Sequence, residues 1–351
     1  MPRKAALPPA GKGDTFCTSD GFQLYFETWQ PECVARAEII FFHGVHESAD
    51  TKTARRLAAG AVAAGMRFRA LEDHAHGRSV GKHDTHGLVR DFEMLVEHSR
   101  EFVSHVRGTA IAADAERNSG SADMRSTVPL VLMGHSMGGA TAALLSDSLR
   151  SPSLTETATE DGHACASRAE SDGFEDFVGC VLLAPSLLCT APPRLLVAAL
   201  TVVSWLLPSA PLGPPEHGAI YDTGSGLGLN YSGKMRLQTG KLFLDLNDAV
   251  EAAIARARAG GDSDSSGTSN ATRMPGGGTL WLNFPMLIMH GTDDHAVPFA
   301  GSEQLLEHAQ SSDKTLHALH GRDHQALCER GWQDVSAQIF AWISQRVEAK
   351  L

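Results

Sequence analysis

Short apolar runs alternate along this chain with longer stretches whose apolar residues recur at helical spacing. Residues 14–30 (DTFCTSDGFQLYFETWQ) alternate around Ser19-Asp20-Gly21 and predict an opening hairpin. Ala37–Phe42 and Met66–Leu71 read as buried strands, with an alanine-rich helix over Thr53–Ala64 between them. Residues 88–106 carry a helical stripe through Phe92, Leu95 and Phe102. Further strands are predicted at Val128–Met133, Gly179–Leu183, Phe284–His290 and Thr315–His320. Helices follow at Ala140–Leu145, Ser302–His308 and from about Trp332. This alternation implies the α/β class: a mostly parallel sheet with helices on both faces.

Three polar tracts of small residues interrupt the pattern, at 113–127, 151–175 and 259–279. Their composition buries too little apolar surface to order a core, so they read as surface insertions, the third as disordered. Residues 1–13 read as a flexible terminus, 14–185 as the first part of the core and 281–351 as the second. Between them, 186–280 breaks the alternation and is expected to form a helical cap subdomain. It holds an apolar segment at Leu195–Leu207, too short to span a bilayer, and a helical stretch over Leu244–Ala257. Leu195–Leu207 fits either a helix buried in the cap or one turning an apolar face outward at the mouth of a site.

Composition narrows the picture. A chain of 351 residues with 42% hydrophobic and 20% charged residues has ample apolar surface for a core. A formal charge of −11 argues against nucleic acid as a partner. The six cysteines form no C-x-x-C pair, which suits a reducing compartment. The start MPRKAALPPAGKGD lacks the apolar stretch of a signal peptide, and Pro2 excludes myristoylation. The expected location is cytoplasmic, peripheral to membranes at most.

The chemistry concentrates in VPLVLMGHSMGGATAALL, residues 128–145. Here Ser136 sits where an apolar strand turns into a helix of small residues. G-x-S-x-G in that setting is the nucleophile elbow of an α/β-hydrolase fold, with Gly134 and Gly138 allowing close backbone packing. A serine hydroxyl needs a base oriented by a carboxylate, in this fold in the chain order Ser, acid, His. His324, after the strand LHALHG, is the candidate base. Asp294 is the candidate acid, and Asp293 is left open by spacing alone. His290 and His320 read as packed strand residues. The oxyanion hole would use the amides of Met137 and of Val45, which follows His43-Gly44. His74, His76, His83 and His86 cluster in residues 71–87, but no spacing there matches a metal-ligand motif, and no metal or organic cofactor is expected.

Four motifs resemble one family. HGVHES at 43–48 is similar to the HG-x-x-E-[HS] loop of monoacylglycerol lipases and lysophospholipases. EDHAHGRS at 72–79 is similar to their D-x-x-GHG-x-S loop, GHSMGG at 134–139 to their elbow, and GTDD-x-x-VP at 291–298 to their acid loop. The cap segment YSGKMRLQTGKLFL also resembles theirs. Glu72 replaces the usual aspartate, Ala75 a glycine, His46 a small residue, and GRDH is less apolar than usual before the histidine. The resemblance favours Asp294 over Asp293, gives Glu47 a supporting place at the oxyanion loop, and implies hydrolysis of a single-chain acyl ester. The partners it implies are that lipid and, transiently, a membrane surface met by the cap; no protein partner is evident. A short-chain carboxylesterase, a thioesterase, an acyltransferase or a slow hydrolase-fold receptor would use the same machinery.

Overall fold

Alternate residues of the segment Glu38–Phe42 belong to two different apolar clusters. Ile39 and Phe41 enter one, Ile40 and Phe42 the other, and all four are fully buried. A strand apolar on both sides belongs inside a sheet covered twice. The computed structural model describes residues 7–117, 128–150, 154–157, 165–168, 176–190, 192–212, 229–230, 233–258 and 282–350. Eight strands form the central sheet. They are β1 (Lys12–Cys17), β2 (Gln23–Trp29), β3 (Glu38–Phe42), β4 (Arg67–Leu71), β5 (Leu130–His135), β6 (Phe177–Leu183), β7 (Met286–Gly291) and β8 (Lys314–Leu319). Their spatial order is β1-β2-β4-β3-β5-β6-β7-β8. The β1–β2 and β2–β4 pairs are antiparallel and the rest parallel. The chain is therefore an α/β fold, as the alternation of elements implies.

The described helices are α1 (Lys52–Ala63), α2 (Phe92–Arg117), α3 (Met137–Arg150), α4 (Arg194–Leu206), α5 (Leu237–Arg258), α6 (Phe299–His308) and α7 (Trp332–Lys350). Leu57 and Ala58 of α1 and Ile339 and Ile343 of α7 pack with Phe41 on one face. Leu95 of α2, Leu144 of α3, Val250 of α5 and Leu305 of α6 pack with Phe42 on the other. Thr51 caps α1, its side chain accepting from the Ala54 amide at 3.1 Å.

Several expectations need adjusting. Residues 8–13 are anchored rather than flexible: Pro8 O accepts from Arg55 and Pro9 O from Trp29 Nε1, each at 3.0 Å, and β1 begins at Lys12. The tract at 113–127 starts as helix, because α2 continues to Arg117. Within 151–175, Leu154–Thr157 and Cys165–Arg168 pair as an antiparallel ribbon. The tract at 259–279 lies outside the described residues. In the 186–280 segment, Leu246, Ala249, Val250, Ala253 and Ile254 join α5 to the main apolar cluster, whereas α4 stands outside it. Strand β7 starts after Pro285, which has no N–H to give the ladder. Strand β8 ends at Leu319, leaving His320 exposed and not packed.

Candidate active site

The predicted chemistry meets at the C-terminal edge of β3, β5, β7 and β8, the side of an open α/β sheet where ligands bind. Between β5 and α3, Ser136 is held at φ 54°, a left-handed backbone that non-glycine residues rarely take. Its amide donates to Leu183 O at 2.9 Å, fixing the turn against β6. The flanking glycines are there for space. A Cβ on Gly134 would lie 1.9 Å from Gly138 O, and one on Gly138 would lie 2.1 Å from Phe42 O.

The loop leaving β3 passes directly over this elbow. A Cβ on Gly44 would come within 3.2 Å of the Ser136 Cβ. Val45, next after Gly44 in this loop, is half-buried, and Met137, next after Ser136, is fully buried. His43 Nδ1 donates to Gly44 O at 2.7 Å, while its Nε2 accepts from the Asp73 amide at 3.1 Å. Glu47 Oε2 accepts from the Gly44 amide at 2.8 Å, and Oε1 from Gln325 Nε2 at 2.7 Å.

His324 Nδ1 meets Asp294 Oδ2 at 2.7 Å. A carboxylate oxygen only accepts, so Nδ1 carries the proton and Nε2 is left basic. Asp294 Oδ1 accepts from the Ala296 and Val297 amides at 2.8 Å each. Burial pushes this carboxyl up, yet the hydrogen bonds from His290 and His324 outweigh it and hold it well below the usual carboxylate range. Burial pushes His324 down, more than the Asp294 bond raises it. Asp293 is exposed and accepts instead from Thr292 Oγ1 at 3.0 Å, so it is Asp294 that faces the histidine.

His290 is more than a packed strand residue. Its Nε2 donates to Asp294 Oδ2 at 2.9 Å and its Nδ1 faces Ser302 Oγ at 2.7 Å. An i, i+4 relation across a strand end gives no periodicity signal; only a histidine closing a strand before a candidate acid hinted at it. His135 was missed too, although it lies inside the elbow motif.

The departures in the loops have physical counterparts. His46 and Ala75, standing where a small residue and a glycine are usual, adopt φ 64° and φ 62°. Glu72, in the aspartate's place, accepts from the Ala49 amide at 3.2 Å and pairs with Arg78 at 3.0 Å. Among the described residues, no three histidine, cysteine or carboxylate side chains lie together as a metal site requires.

Known proteins resemble this chain along most of its length. A family model described as serine aminopeptidase, S33, matches residues 34–155 and 162–331. The chain belongs to this α/β-hydrolase family. Its relatives include the monoacylglycerol lipase of Mycolicibacterium smegmatis, 26% identical over 330 residues that cover 94% of this chain and 95% of that protein. Human monoglyceride lipase is 25% identical over 342 residues, 93% of this chain and 89% of its own. A soluble variant of monoglyceride lipase from Saccharomyces cerevisiae, solved with a substrate analog, superposes with a TM-score of 0.60 at 16% identity, covering 98% of this chain and 97% of the other. The fold and the hydrolase class expected from the motifs are therefore those of the family.

Proposed function

We propose that this hydrolase cleaves the acyl ester of a single-chain lipid, a monoacylglycerol or lysophospholipid, through Ser136, His324 and Asp294. The observation that carries the reading is the buried Asp294–His324 hydrogen bond of 2.7 Å on the edge that bears the strained Ser136 turn. Ser136 Oγ attacks the ester carbonyl carbon while His324 Nε2 takes its proton and Asp294 stabilises the imidazolium. The Val45 and Met137 amides donate to the oxyanion. Collapse breaks the C–O bond, and the departing alcohol leaves with the proton from His324. Water then attacks the acyl-enzyme by the same route and releases the fatty acid. The low position of the His324 pKa keeps it neutral, and able to act as a base, near neutral pH.

The lipid class is supported by the relatives' names and by α4. Its Leu195 and Trp205 are 85% and 81% exposed, and Ser204 is its buried residue. Such a helix suits brief contact with a lipid surface, from which a single-chain substrate would be drawn. No helix among the described residues is long and apolar enough to cross a membrane. The contact proposed is peripheral, from the cytoplasmic side.

Labelling with a fluorophosphonate probe, followed by a panel of monoacylglycerols and lysophospholipids, tests the reading. Wild type should be labelled and release fatty acid, and Ser136→Ala should lose labelling and roughly 10⁴-fold or more in rate. Asp294→Asn should lose far more activity than Asp293→Asn. Labelling without lipid turnover would replace the lipase reading with a short-ester hydrolase or a receptor.

A further inference from the structure

The residue before the nucleophile makes contacts the triad does not explain. His135 is buried, with Nδ1 3.2 Å from Glu47 Oε2 and Nε2 3.2 Å from the carbonyl oxygen of His324. Both partners can only accept, so both ring nitrogens must carry protons. The same Glu47 holds the Gly44 amide on one oxygen and Gln325 on the other. Gln325 in turn accepts from Thr53 Oγ1 of α1 at 3.4 Å. Four separate pieces of chain thus converge behind Ser136: the loop after β3, α1, the elbow, and the loop after β8.

We infer that Glu47, His135 and Gln325 form a buried brace between the oxyanion loop and the His324 loop, with His135 as a positioning residue for the reaction. This rests on the assignment of Ser136, His324 and Asp294 as the triad. The oxyanion amides and the base sit on loops that leave different strands, and their separation decides whether proton transfer and charge stabilisation happen together. The brace sets that separation.

The brace also acts electrically. Burial pushes His135 down, but the Glu47 carboxylate and the His324 carbonyl raise it above its ordinary value. Burial pushes Glu47 up, while the His135 charge and hydrogen bonds bring it down to about 2. The rings of His135 and His324 lie 4.8 Å apart, so one standing imidazolium discourages a second. The ionisable groups around the pair are Glu47 from the oxyanion loop and Asp294 from the acid loop. Cys328, beside Gln325, stays a neutral thiol, pushed up to about 11 by burial.

The test compares wild type, His135→Asn, Glu47→Gln and the double variant on a soluble ester across pH, with fluorophosphonate labelling in parallel. In folded His135→Asn, kcat should fall on the order of 10- to 100-fold with KM little changed. The acidic limb of its pH profile should move upward, because His324 loses a cationic neighbour. His135→Gln, whose longer side chain can bring its amide donor near the place of Nε2, should recover part of kcat. The double variant should be no slower than Glu47→Gln alone, since one brace cannot be broken twice. An unchanged kcat and an unmoved acidic limb would overturn the inference, as would losses that multiply. If His135→Asn does not fold, Gln325→Leu decides on the same kcat criterion, since it detaches the base loop from Glu47. A wild type that takes no probe would instead remove the triad assignment beneath it, and the brace with it.

Discussion

At the scale of the residue, space is allotted more tightly than charge. Gly138 touches backbone that cannot move aside, because the nearest atoms to an added Cβ are the carbonyls of Phe42 and His43. Gly139 would meet Pro185 at 3.0 Å, a milder contact. Gly138→Ala should therefore cost at least about 1–3 kcal/mol of stability and push the oxyanion loop off the elbow. Gly139→Ala should cost less, and chemical denaturation of the two variants tests the ranking; the reverse order would refute the steric account. The motif glycines and Ser136 were legible in the sequence because their chemistry depends on the identity of each residue. Spacing alone could not choose between Asp293 and Asp294, since consecutive residues after a strand point in unrelated directions until the loop is folded; only the resemblance of the acid loop favoured Asp294. The same limit hid His290, whose bond to Asp294 depends on the turn at 291–294 bringing the strand end back to the acid.

At the scale of the element, strands and most helices followed from periodicity, and α4 shows where periodicity stops informing. A segment apolar nearly all round has no polar face to reveal which side is buried. The structure turns Leu195, Val202, Trp205 and Leu206 outward and Ser204 inward, an orientation residue count alone could not decide. Leu195 and Trp205 are the most exposed of these, so their removal should leave folding intact. Each apolar side chain transferred from water contributes about 1.5–3 kcal/mol. Leu195→Ser combined with Trp205→Ser should weaken sedimentation with phosphatidylcholine vesicles by at least about tenfold. Hydrolysis of a soluble short ester should be unchanged. Equal vesicle binding by the double variant would remove the membrane role of α4. The polar tract at 113–127 taught the converse lesson. Its first residues continue α2, because a helix already anchored on the core by Leu95 and Phe102 extends at little cost beyond its apolar stripe.

At the scale of the whole molecule, histidines whose pKa folding lowers should weaken the protein in acid. His74, His76, His86 and His324 are all pushed down, burial being the largest cause in each. The unfolded chain protonates these groups near pH 6.5 while the folded chain resists, so their cost to folding grows as pH drops below about 6.5. His135 opposes them: its pKa is raised, so its contribution is complete below about 6.5 and lost as pH rises through its folded value. Asp73 and Glu72, raised by burial, also favour the folded state as acid is added. Glu47 contributes above the unfolded value near 4.3 and loses that contribution as pH falls through about 2. The four depressed histidines should prevail in mild acid. The melting temperature should be lower at about pH 5 than at about pH 7.5, and an equal or higher value at the lower pH would show that the carboxyls and His135 dominate.

The sequence by itself determined the class of fold and the succession of core strands along the chain, and it singled out Ser136 as candidate nucleophile and His324 as candidate base. Each is written locally, in alternation of apolar residues, in glycines around a serine, or in a histidine in the loop after the last strand. Tertiary structure decided which carboxylate faces His324, that His290 and His135 join the site, and that α4 is apolar toward solvent. Those outcomes depend on contacts between loops that leave different strands, as between Glu47 and Gln325, 278 residues apart. No local pattern records such a contact, because it exists only after the parallel strands have brought their C-terminal ends to one edge of the sheet.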